Sequence, residues 1–210
     1  MPMIQESGIR RVIRDAGDTF PVDEAVLLRE FGVCRVDSLR RELPQWGDCE
    51  DLALRMLGLD RYNSGGIAAA EDVLERVVDN LHVNCLRSHV TQRLDTFSGL
   101  LRRGEVPELV ETESLGRHDL LAYRDTASPG AMLHYAVCLN PDPPLVISRW
   151  GIGKEIFIHP RDVLPLKYGE NMTYFSVSDG ANGRPLPIEG YAPLFSTQLE
   201  MALAHYPRSD

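Results

Sequence analysis

A single change of period governs what this 210-residue chain can become. Through residue 104 the apolar residues recur at helical spacing, and from residue 119 they fall into short extended runs. The runs are Leu120–Tyr123, Leu133–Leu139, Leu145–Trp150, Glu155–His159 and Met172–Val177. Between them lie Asp125–Gly130, Asn140–Pro144 and Gly151–Gly153, rich in the residues that reverse a chain. Closely spaced strands with short turns predict an antiparallel meander of about five strands. Helices first and strands afterwards predict an α+β architecture, with the helices packed on that sheet. Within Leu133–Leu139, alternation puts His134, Ala136 and Cys138 on one face and Tyr135, Val137 and Leu139 on the other.

The chain reads as one domain over 1–210, and its composition of 43% hydrophobic and 25% charged residues fits an ordinary globular core. Residues 1–46 form a helical N-terminal extension. Ile9, Val12 and Ile13 make one stripe, a second helix opens after Asp23 and ends at Gly32, and a third runs from Val36 to Pro44. Residues 47–104 form a further helical part, interrupted by the turn Asn63–Gly66. Residues 119–177 carry the sheet, with a short helical segment expected near 161–164. Residues 178–210 form a mostly irregular tail with a last helix over 196–204.

The helix that begins near Cys49 carries the most chemistry. Asp48 is placed to cap it, and Leu52, Ala53, Met56 and Leu57 give it a buried face. Cys49 then falls in the first turn, where the positive end of the helix dipole favours thiolate. A cysteine so placed is a candidate nucleophile if a histidine from elsewhere reaches it. Asp48 and Asp51 oppose that thiolate by like charge if both lie near the sulfur. His82, Cys85 and His89 share a helical face, but a structural zinc site needs a fourth ligand that the local sequence lacks, so no metal and no cofactor are expected.

Asp119-Leu120-Leu121-Ala122-Tyr123 followed by His134-Tyr135-Ala136-Val137-Cys138-Leu139 resembles the strand pair of the NlpC-type cysteine peptidases of the papain-like superfamily. Ser148-Arg149-Trp150-Gly151 and Phe157-Ile158-His159-Pro160 are similar to a divergent branch of that superfamily. The resemblance spans about residues 45–57 and 119–177. It implies a papain-like fold, Cys49 as nucleophile and His134 as general base. A third polar group would orient the imidazole. His159 is the first choice for it and Ser148 the second; Arg149, at the usual place, cannot accept from a ring N–H. Trp46 is expected to shield the site, Asp48 to border it and Trp150 to be core or a wall of the site. The implied reaction is hydrolysis of a peptide or isopeptide-like amide through an acyl-enzyme, with the oxyanion held by helix N–H groups. Alternatives on the same fold are a glutamine deamidase or transamidase, a host-protein protease, and an inactive binding or scaffolding member.

A net charge of -9 argues against bulk binding to nucleic acid or anionic membrane, and Asp15, Asp18, Glu24, Glu30 and Glu42 offset the basic residues of the N-terminal helices. The resemblance implies a peptide or protein substrate as the partner. The first residues show no basic stretch leading into an apolar run, and no apolar run spans a bilayer. Cys34, Cys49, Cys85 and Cys138 form no C-x-x-C pair, which suits reduced thiols. The expectation is a cytoplasmic protein, or one exported without a cleaved signal.

Overall fold

The computed structural model describes residues 24–43, 47–63, 97–124, 132–150, 155–164, 171–178 and 185–206. Trp46 and the triplet His82, Cys85 and His89 lie outside the described residues. The described chain is α+β. Its seven strands are β1 (Cys34–Arg35), β2 (Leu109–Thr112), β3 (Leu120–Arg124), β4 (Met132–Pro141), β5 (Pro144–Arg149), β6 (Ile156–Pro160) and β7 (Asn171–Val177). Its helices are α1 (Glu24–Phe31), α2 (Asp37–Glu42), α3 (Cys49–Leu57), α4 (Phe97–Arg102), α5 (Pro187–Tyr191) and α6 (Ser196–His205).

The five expected strands are present and all neighbours in the sheet are antiparallel, in the order β1-β6-β5-β4-β3-β7-β2. The expected count of about five is corrected to seven, because β1 and β2 are too short to show a period. The expected meander holds for β3 to β6 and then breaks. The outer edge of β6 is taken by β1, through Cys34 against Ile158, so β7 pairs with the free edge of β3 instead. Two smaller corrections concern the segment near 161–164, which is turn, and Pro187–Tyr191 in the tail, which is helical. Proline costs nothing in the first turn of a helix, where its missing N–H has no partner to lose.

Register and burial define the two sides of the sheet. On one side Leu120, Ala122, Tyr135, Val137, Leu145, Ile147, Ile156, Ile158 and Phe175 join Leu39 of α2, Leu52, Leu54, Met56 and Leu57 of α3, Phe97 of α4 and Ala202 of α6 in the main core. We call this the helix face. On the other side Leu121, Tyr123, Ala136, Cys138 and Val146 form a second cluster with Leu164 packed against it. Beside it Trp150, Phe157 and Val163 meet Leu27 of α1. We call this the far face. No helix among the described residues is long and apolar enough to cross a membrane.

Candidate functional site

Helix α3 begins as its sequence demands. The Asp48 carboxylate accepts from the backbone N–H of Asp51 at 2.9 Å, which satisfies one of the helix's unpaired donors. Gly58 closes the other end in the left-handed region, at φ 71°, where a Cβ would be strained. The apolar side of α3 packs on the helix face of the sheet, and Cys49 is carried with it against the same core.

The environment of that sulfur favours thiol over thiolate. Burial pushes the Cys49 thiol up to about 12, and the neighbouring Asp48 charge adds to it. A backbone hydrogen bond from Tyr135 works in the opposite direction and does not offset them. Cys49 as a residue is only partly buried, so the shift reflects where the sulfur sits. Helix dipole and desolvation compete here, and desolvation wins.

His134 does not meet Cys49. It lies opposite Tyr123 in the register and packs against that ring in a tilted arrangement at 5.7 Å between centroids, on the far face. Its chain neighbour Tyr135 points the other way, into the core that holds Cys49. The sheet therefore stands between the expected nucleophile and the expected base. The physical reason is the period of a strand: a residue packed against the helix-face core, as Cys49 is, lies on the wrong side for residue 134.

Ser148 and His159 are brought together, and also on the far face. They belong to adjacent strands and neither is exposed. His159 Nδ1–H donates to the Pro160 carbonyl at 2.8 Å, which leaves Nε2 as the acceptor. The Ser148 hydroxyl then donates to Nε2 at 2.8 Å, and Trp150 Nε1–H donates to Ser148 Oγ at 3.0 Å. Burial lowers the His159 pKa to about 4. The imidazole is held neutral, and every hydrogen-bonding atom of the trio has a partner. Trp150 packs edge-on against His159 at 5.3 Å between centroids, is 2% exposed and forms part of this network. A serine hydrogen-bonded to a histidine has the connectivity of a nucleophile and base, but zero exposure of both denies it a substrate.

The helix face holds a polar cluster that the sequence reasoning did not assemble. Asp51, at the first turn of α3, accepts from Arg55 Nε at 2.9 Å and from Asn63 Nδ2 at 2.6 Å. Its second oxygen has no hydrogen bond and faces Arg149 of β5, 4.0 Å away and 1% exposed. Gly47 lies against this pair. A Cβ built on it would overlap both the Asp51 carboxylate and the Arg149 guanidinium, so glycine is required by close approach. The Asp51–Arg55 spacing of four residues was a readable signal. Nothing in the sequence linked either residue to Arg149, almost a hundred positions later.

Among the described residues no group of three His, Cys, Asp or Glu side chains could hold a metal ion. Comparison with known proteins returns no matching family model, no matching curated protein and no matching solved structure.

Proposed function

We propose that this chain works as a non-catalytic binding or scaffolding protein on an α+β fold of papain-like type, and not as a thiol hydrolase. The observation that carries the proposal is the separation of Cys49 and His134 by the sheet itself. General-base activation needs the sulfur within hydrogen-bond reach of an imidazole nitrogen, and a sheet is too thick to be spanned by a side-chain contact. The raised thiol pKa supports the same reading, since a protonated sulfur is a poor nucleophile. The deamidase, transamidase and protease alternatives use the same pair and weaken with it.

The test is alkylation of the folded protein with iodoacetamide at neutral pH, with the adducts mapped by mass spectrometry. Slow labelling of Cys49, unchanged in His134→Ala, is the expected result. Rapid labelling of Cys49 ahead of the other thiols, slowed in a folded His134→Ala variant, would restore the dyad and with it the hydrolase.

A further inference from the structure

The two edges of the sheet are finished differently. The β1 edge is two residues long, contains the buried Cys34, and is packed by α1 and α6. Short, covered edges of this kind resist further pairing. Among the described residues the β2 edge has β7 as its only strand partner, and Val110 in its middle is 57% exposed.

Hydrogen-bond phase shows which groups the β2 edge presents. Ser178 N–H donates to the Glu108 carbonyl at 2.7 Å, which makes 108 and 178 a bonded pair in the same register as Val110 with Ser176 and Thr112 with Tyr174. Bonded pairs recur every second residue in an antiparallel ladder. Residues 108, 110 and 112 therefore bond towards β7, and the backbone groups of Leu109, Glu111 and Glu113 face outward. Leu109 N–H turns back to the Val106 carbonyl at 3.0 Å. The Leu109 carbonyl, both backbone groups of Glu111 and the Glu113 N–H remain, and among the described residues nothing pairs with them.

The side chains select the partner by charge. Glu108 is already ion-paired with Arg61 and accepts from the Tyr62 hydroxyl. Glu111 and Glu113 are exposed and carry no ion pair among the described residues. A second copy of this edge would set glutamates against glutamates, which disfavours self-pairing. An incoming strand with Lys or Arg near Glu111 and Glu113, and an apolar residue beside Val110, would meet complementary groups at each place.

We propose that the outer edge of β2 takes up an extended, basic segment of a partner protein as an additional strand. The inference goes beyond the non-catalytic reading and does not depend on it, because a hydrolase can carry the same edge.

The test titrates the isotope-labelled full-length chain with the capped peptide Lys-Val-Lys-Val-Lys-Val and follows backbone amides. Saturable shifts and slowed hydrogen exchange centred on Glu111 and Glu113 are expected. Glu111→Lys should weaken binding by about tenfold or more and favour the glutamate counterpart of the peptide. Glu111→Pro should abolish binding by removing an outward N–H while leaving the β7 ladder intact. Shifts scattered over the acidic surface, or an equal response to a peptide with a central proline, would overturn the proposal. So would concentration-dependent dimerisation of the free chain that Glu111→Pro removes, since the occupant would then be a second copy.

Discussion

On the helix face, Asp51 draws its partners from three places: Arg55 one turn along α3, Asn63 after the helix and Arg149 on β5. On the far face, Ser148, Trp150, His159 and Pro160 complete their bonds within two neighbouring strands and the residues that follow them. The first cluster couples a helix to the sheet through opposite charges. The second is neutral and local, and would survive small movements of the helices. Buried charge is costly unless paired, so the first cluster is the sensitive one; a satisfied neutral network stiffens its surroundings without that hazard.

Substitution can sharpen this contrast. Asp51→Ala removes the carboxylate that faces the buried Arg149 and accepts from Arg55 and Asn63, and we expect a loss of about 3–5 kcal/mol in urea unfolding. Adding Arg149→Met should recover most of that loss, and failure to recover would mean that the two residues act separately. The next largest effect is one of pH. His159 has its pKa lowered by burial to about 4, from an ordinary value of 6.5. Between those values the unfolded chain binds the proton and the folded chain does not, so stability falls as the pH drops through that window. The contribution is on the order of 3 kcal/mol, and His159→Gln should flatten that part of the profile. Ser148→Ala strips the acceptor from Trp150 and the donor from His159, and should cost about 1–3 kcal/mol. Asp48→Ala removes the α3 cap at about 1 kcal/mol. Because burial is the first cause of the Cys49 shift, that variant should still alkylate slowly at neutral pH; fast alkylation would make Asp48 the dominant cause.

The sequence made the central strands, the α3 cap and the alternation along β4 readable, because each depends on residues close in the chain. Gly32 at the end of α1, φ 65°, was equally local. The side of the sheet that α3 covers was not local. Alternation grouped His134 with Cys138 and apart from Tyr135, yet it could not say which group would meet Cys49. That choice is made by packing: Tyr135 fills space beside Phe97, with ring centroids 5.3 Å apart, and hydrogen-bonds Ser98 at 2.6 Å. The strand pair quoted for the NlpC-type resemblance is present as β3 and β4, but a motif carries no side-of-sheet information by itself. The Ser148–His159 contact is legible in part, since both are polar groups on the strands that follow His134 in the sequence. Their seclusion is not, because it depends on α1 and on the turn after β6.

The exchange of β7 from the β6 side to the β3 side has a temporal meaning. Each outer strand is made early, at residues 34–35 and 109–112, and each pairs with a strand made much later, at 156–160 and 171–177. During synthesis the β3–β6 hairpins can zip as they emerge, but β2 lacks its β7 partner until residues 171–177 have left the ribosome. Nascent chains that stop short of residue 171 therefore carry an open β3 margin, and a search across such sequence distance is slow and prone to pairing with other chains.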